Sequence, residues 1–257
     1  MQDSIVRGTQ TLSRAVVLLK AVATRPMQGW RLTDLAAFCG FDKGSAHRML
    51  AGLVRERLVE QRRADRHYLP GPLLFELGLG VPRLVDLAQR CAPALAHLAR
   101  KSSGVALLFL PSGDEFVCMD RAGAAAIMGL SIEVGTRRPL LVSAGGVAML
   151  LALPAAEQEH IVQANLRHLQ GFSAPRLAAV QRMLRRSRRA GFGVNLGDLV
   201  PGIHAFGVPL LDSRGRPFAS ISIVGRAQAM PHARSAEFEA LLRAEAGRVE
   251  HQAPVLA

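Results

Sequence analysis

The sequence predicts an α+β fold in two parts: a small winged helix-turn-helix, then a larger α+β domain. Three observations predict it. Two short helical stretches meet across Gly40, Phe41 and Asp42. Just beyond them, an arginine-rich turn separates two short apolar segments. Strand-like runs mixed with helical ones then continue to an antiparallel pair and a last helix. A chain of 257 residues, 49% hydrophobic, has the length for two domains and the apolar material for their cores.

The first helix is expected to take Ser13 as its cap, with Leu12, Val16, Leu19 and Ala23 at helical spacing and Pro26 after its end. Thr33 is a second N-cap candidate, leading Asp34 to Cys39, and Gly40 suits the left-handed turn that stops this helix. Asp42 caps a third helix from Lys43 to about Arg57. Ala46, Leu50, Leu53 and Val54 form the stripe that must pack inward. Lys43, Gly44, His47, Arg48 and Ala51 fall on the opposite face, which is basic near its start and built from small residues. A recognition helix has this division, one side in the core and its N-terminal residues against base edges. A solvated face carrying two charges is the alternative for this helix taken alone. Leu58 to Glu60 and His67 to Leu69 then flank a turn whose Arg62, Arg63 and Arg66 could reach phosphates or a narrow minor groove.

Pro70, Gly71 and Pro72 mark a break, and Leu73 to Leu79 suggest a connecting helix. The expected organisation is therefore a DNA-binding domain over 1–71, a linker helix over 72–82 and a second domain over 83–257. In that domain Leu84, Leu87, Cys91, Leu95 and Leu98 stripe a helix ending near Arg100. Val105–Leu110 and Glu115–Asp120 are expected strands around a turn at Pro111–Asp114, with a further strand over Ala125–Ile132. Helices are expected over Gly145–Leu153, Ala178–Arg189 and Ser235–His251, and a hairpin over Ala205–Leu211 and Phe218–Val224. No internal repeat is visible.

Net charge is +12, from 32 basic and 20 acidic residues, and favours a polyanionic partner, nucleic acid before membrane surface. Within the first 80 residues, twelve basic side chains face seven acidic ones. Pro139–Ala156 carries no charge but holds two prolines and two glycines, so a buried helix behind a loop explains it better than a membrane span. No secretory signal is visible, and three scattered cysteines suit a reducing cytoplasm. Cys118 is expected to be a small buried hydrophobe. Catalysis is the rival class, yet Ser143, Ser220 and Ser222 lack a nucleophile-elbow setting, and His160, His168 and His204 lack metal-ligand spacing. No catalytic residue, metal or cofactor is expected. Arg182, Arg185, Arg186, Arg188 and Arg189 are expected to form a solvated helix face, with a second DNA-touching patch as the alternative.

RLTDLAAFCGFDKGSAHRMLAGLVRERLVEQ (Arg31–Gln61) resembles the winged helix-turn-helix of the IclR family of transcriptional regulators. VGTRRPLLVSAGGVAMLLALP (Val134–Pro154) is similar to that family's loop-and-helix motif, and GFGVNLGDLVPGIHAFGVPLLDSRGRPFASISIVG (Gly191–Gly225) to its C-terminal signature. The resemblance implies a GAF-like effector-binding domain, dimers or dimers of dimers, and a palindromic operator in double-stranded DNA near a promoter. RNA polymerase is then a further candidate partner. Effectors in such proteins are small metabolites, often aromatic or short aliphatic acids, and activators and repressors both occur. Lys43, Ser45, His47 and Arg48 match the family's recognition helix, while Gly44 stands where a small hydroxyl residue is usual. Members that bind small oxoacids often line the pocket with an acidic residue, a cysteine and two serines; Asn195, Ala205, Ser222 and Val224 occupy those places here. The expected pocket lies around these four with Ala144 and Gly145, and its loss of hydroxyl and thiol groups points to a more apolar ligand. An architectural DNA-binding protein whose second domain only oligomerises is the competing function.

Overall fold

The computed structural model describes residues 9–123 and 132–252. By its contacts the chain divides into two compact units between Val85 and Asp86.

The first unit contains α1 (Gln10–Val22), α2 (Leu32–Phe38), α3 (Lys43–Arg55), β1 (Val59–Gln61), β2 (Tyr68–Pro70) and α4 (Pro72–Leu79). Its core gathers Leu18 and Val22 of α1, Leu35 of α2, Leu50 and Leu53 of α3, and Trp30, Val59 and Tyr68. The expected face of α1 is wrong: Leu18, Ala21 and Val22 point inward, while Leu12 is 65% and Val16 40% exposed. Both stripes have helical spacing, so periodicity does not choose between them. Ser13 is not the cap either, because its amide already bonds the carbonyl of Thr9 at 2.9 Å and places it inside the first turn. Thr33 likewise lies within α2, which starts at Leu32 with Arg31 in the cap position. The cap at Asp42 is present, its carboxylate accepting the Ser45 amide at 2.8 Å. Gly40 adopts φ +69°, the left-handed turn that separates α2 from α3.

The second unit is built on a six-stranded antiparallel sheet in the order β5-β4-β3-β8-β7-β6. Its strands are β3 (Val105–Ser112), β4 (Glu115–Ala122), β5 (Arg137–Pro139), β6 (Gly193–Leu196), β7 (Ile203–Leu211) and β8 (Pro217–Arg226). Alternation along the strands commits the two faces to different neighbours. Leu108, Phe206, Val208, Ile221 and Ile223 pack on α5 (Pro82–Ser102) and α9 (Ser235–Gln252). Glu245 on α9, almost wholly buried, takes His97 of α5 at 2.6 Å and Arg248 at 2.5 Å.

The other face carries Leu107, Phe109, Ala205 and Val224 and receives α6 (Ala144–Leu151). Ser143 caps that helix by accepting the Gly146 amide at 2.8 Å. Its outer side packs on α7 (Ala155–His168) and α8 (Ala174–Ala190) through Val147, Leu150, Val162, Val180 and Met183. Helix α7 and edge strands β5 and β6 are not anticipated from the sequence. The helix carries few apolar residues among its Gln, Glu and His, and the strands are three and four residues long. The strand expected over Ala125–Ile132 falls outside the described residues except for Ile132. Among the described residues no helix is long and apolar enough to cross a membrane, and Pro139–Ala156 holds the buried α6 instead.

Candidate DNA-reading face and effector cavity

Helix α3 presents the two faces its sequence specifies. Ala46, Leu50 and Leu53 are buried, while Lys43, Gly44, His47, Arg48 and Ala51 are exposed. Ser45 is half-buried, and its hydroxyl accepts a hydrogen bond from the Arg48 guanidinium at 3.1 Å. Asp42 is held below the usual carboxylate range first by the Ser45 amide and hydroxyl, then by the charges of Arg48 and Arg14. A methyl group at Gly44 would meet only ordinary contacts with Asp42 and Arg48, so this glycine is not demanded by space. Thr33 is exposed on the first turn of α2, its hydroxyl 3.3 Å from the Asp34 carboxylate. Arg14 of α1 is missed by sequence reasoning; it stacks on Phe41 at 4.5 Å and lines a groove with Ser45, Arg48 and Met49.

The wing divides its three arginines. Arg62 is a structural residue rather than a free contact. It grips Asp65 with two nitrogens at 3.0 and 2.6 Å and donates to the carbonyls of Met27 and Gln28 at 3.1 and 2.8 Å. Asp65 is accordingly pulled well below the carboxylate range, chiefly by Arg62. Arg63 and Arg66 are exposed, with no side-chain hydrogen bond or ion pair among the described residues. His67 fastens the base of the wing, its Nε2 accepting from Arg31 at 3.3 Å.

In the second unit a cavity of about 390 Å³ opens between the sheet, α6 and the start of α8. Ala144, Asn195, Ala205, Ser222 and Val224 all line it. Gly145 does not: a methyl group there would stand 2.6 Å from the Phe109 ring and 3.0 Å from Ser220 Oγ. A methyl group at Gly207 would lie 2.8 Å from Gly145 Cα, so the two glycines let α6 rest directly on the sheet. The apolar wall includes Leu107, Phe109, Ile203 and Val224.

The expectation of an apolar pocket is incomplete, because Arg138, His168 and Arg176 also line it. Burial first, and then the charge of Arg176, pulls the Arg138 guanidinium below its ordinary value. Arg138 lies inside the Val134–Pro154 motif and Arg176 follows a Ser-Ala-Pro helix start. Nothing local marks either as a cavity residue.

Asn195 Oδ1 accepts the Asp198 amide at 2.9 Å, and Asp198 is clamped by Arg186 and by Arg182, the latter at 3.5 Å. Two members of the arginine run thus hold the loop beside the cavity, while Arg185, Arg188 and Arg189 are exposed. Cys118 is buried and its thiol pushed up to about 12 by burial, the setting of an inert hydrophobe. His204 Nδ1 lies 2.8 Å from the Met230 carbonyl, a structural bond.

Comparison with known proteins gives a consistent outcome. A family model described as the IclR helix-turn-helix domain matches residues 11–63, and one described as the bacterial transcriptional regulator IclR C-terminal region matches residues 81–251. The glycerol operon regulatory protein of Streptomyces griseus is 26% identical over 221 residues, 86% of each chain. The transcriptional repressor IclR of Escherichia coli is 25% identical over 241 residues, 91% of this chain and 86% of its own. Among solved structures, an IclR homologue from Microbacterium hydrocarbonoxydans complexed with 4-hydroxybenzoate superposes with a TM-score of 0.70 at 20% identity, covering 94% of this chain and 98% of its own.

Proposed function

The chain belongs to the IclR family of bacterial transcriptional regulators, and from that premise we propose how its parts divide the work. Residues 1–71 bind a palindromic operator, residues 72–82 link, and residues 83–257 bind the effector and oligomerise. The family is one of DNA-binding regulators and not of enzymes. The effector is a small organic acid, a reading supported by the cavity's arginines and by the 4-hydroxybenzoate that the structural neighbour carries. The cytoplasm is the compartment that such a regulator requires.

Helix α3 is the observation that carries the DNA-reading role. One face is buried with Leu50 and Leu53, which leaves Lys43, Gly44, His47 and Arg48 exposed for the major groove, with Ser45 orienting Arg48. Arg63 and Arg66 of the wing, and Thr33, are assigned to the phosphates; Arg62 is withdrawn from that set because its guanidinium is already committed. Exposed apolar side chains on α1 (Leu12, Val16, Val17) and α4 (Phe75, Leu77, Leu79) support a homodimer. Two recognition helices in it would fall about 34 Å apart or a multiple of that. The test is selection of a preferred duplex from a random pool, then titration of wild type and Arg48→Ala against it and a scrambled duplex at one salt concentration. Arg48→Ala should lose about 1–3 kcal/mol of operator affinity while ligand binding is retained. Equal operator affinity for the two proteins sinks the assignment.

A further inference from the structure

The second unit carries nineteen basic and thirteen acidic residues over 86–257. Six of the nineteen are the arginines of α8, a helix without an acid, and the remainder balances at thirteen of each sign. The positive excess of this unit therefore sits on one helix.

Packing fixes which way that helix faces. Ala179, Val180, Met183, Leu184 and Ser187 are buried, and the Ser187 hydroxyl accepts the Val194 amide at 2.9 Å, which sets the rotation of α8 against β6. Three of the arginines are engaged inside the unit: Arg176 stacks on Phe172 at 4.0 Å, and Arg182 and Arg186 clamp Asp198. Arg185, Arg188 and Arg189 are exposed, with no side-chain hydrogen bond or ion pair among the described residues. No acid stands three or four residues from any of them, so the helix supplies no partner and sets like charges side by side. The helix dipole favours cations in the last turn, which accounts for Arg188 and Arg189 but not for Arg185 before it. Arg243 of α9 adds a cation at the same end, donating to the Gly191 carbonyl at 3.5 Å while bound to Glu239.

Such a face calls for a polyanion, and its composition chooses which. Among the described residues of α8 no large apolar side chain is exposed, in contrast to α1 and α4. A protein partner would need an apolar centre to its interface. A phosphate backbone needs charge alone, and DNA is the polyanion that this family binds. We propose that the outer face of α8 holds the phosphate backbone of duplex DNA outside the operator through Arg185, Arg188 and Arg189. It adds affinity without reading sequence, a contribution separate from the reading by α3.

The test is titration of the full chain, at several salt concentrations, against a long scrambled duplex and a duplex trimmed to the selected operator. The triple variant Arg185→Gln, Arg188→Gln, Arg189→Gln should bind the scrambled duplex about tenfold more weakly and flatten its salt slope by about two to three units. Its affinity for the trimmed operator should hold. Arg185→Lys, Arg188→Lys, Arg189→Lys, which keeps the charges, should keep the slope. A second triple variant, Arg100→Gln, Lys101→Gln, Arg214→Gln, removes the same charge from exposed positions elsewhere on the unit and should leave the slope near wild type. A slope flattened equally by both glutamine variants would make net charge the cause and overturns the proposal. A slope unmoved by the α8 variant overturns it as well. Poly-glutamate bound by wild type but not by the α8 variant, with DNA affinity alike in the two, gives the face to an acidic polypeptide instead. Melting curves check that the α8 variant is folded; Arg185→Glu alone, outside the last turn, carries the same comparison if the triple variant melts lower. Arg48→Ala lowers operator affinity whether or not α8 contributes, so the two assignments fail separately.

Discussion

Arg62 and Arg63 are neighbours of the same type, yet the structure gives them opposite roles. Arg62 joins the wing to the chain before α2 through Asp65 and the carbonyls of Met27 and Gln28, whereas Arg63 is exposed beside it. Two outcomes separate them. Arg63→Ala should leave thermal stability unchanged and flatten the salt dependence of DNA affinity by about one unit, because one phosphate contact releases about one counterion. Arg62→Ala should lower the unfolding midpoint of the first unit and weaken DNA binding indirectly, through a loosened wing. Melting curves with titrations at several salt concentrations check both; an Arg62→Ala protein as stable as wild type refutes the structural role. Asp42 shows the same economy. Its carboxylate caps α3, and its folded value is depressed, so the cap is fully present above the usual carboxylate range and is lost as pH falls through that depressed value. Asp42→Asn keeps an acceptor and removes the titrating group, so its acid-unfolding profile should lose this contribution while the first unit still folds at neutral pH. An unaltered acid limb would mean that Asp42 contributes nothing to it.

At the scale of elements, the second unit depends on a few buried polar contacts between pieces remote in sequence. Asn165 of α7 is wholly buried; it accepts the Leu141 amide at 2.9 Å and donates to the Asp114 carbonyl at 2.7 Å. It thereby ties the turn between β3 and β4 to the segment leading into α6. Asn165→Ala would strand both backbone groups and should cost about 2 kcal/mol or more, read by denaturant unfolding with an unchanged slope. A loss below about 0.5 kcal/mol would mean that water replaces the amide. Helix α7 was not legible in advance because its sequence has only a thin apolar stripe, and its place is set by this amide and by Val162. Helix α3, in contrast, was legible at its start and on both faces, because its cap, its preceding glycine and its stripe are local signals; its end, expected near Arg57, comes at Arg55.

At the scale of the whole molecule, the exposed apolar residues bear on assembly. Phe75 is 71% exposed on α4, a helix with no buried residue of its own. A helix of that composition gains nothing from facing water, so a second copy of the chain is the expected cover. Phe75→Asp should leave the protomer folded, since the side chain contributes little to its core, and should shift the mass measured by light scattering toward one chain. Operator affinity should fall on the order of 10²-fold or more as the second half-site stops contributing. A variant that stays dimeric would place the interface elsewhere.

What the sequence determined by itself was local. The helix-turn-helix, its cap at Asp42, the left-handed turn at Gly40, the division of α3 and the hairpin of β7 and β8 follow from hydrogen bonds and periodicities spanning a few residues. Five of the six positions that the family resemblance singles out, Ala144, Asn195, Ala205, Ser222 and Val224, line the cavity. Only the tertiary structure decided which stripe of α1 turns inward, because two faces of that helix are apolar and the choice depends on α2 and α3. It also decided that Arg62 is committed, that Gly145 serves the contact of α6 with the sheet, and that Arg138 and Arg176 reach one cavity. Each of these depends on groups outside its own stretch of chain, brought together by the burial of the cores rather than by any signal in their own surroundings.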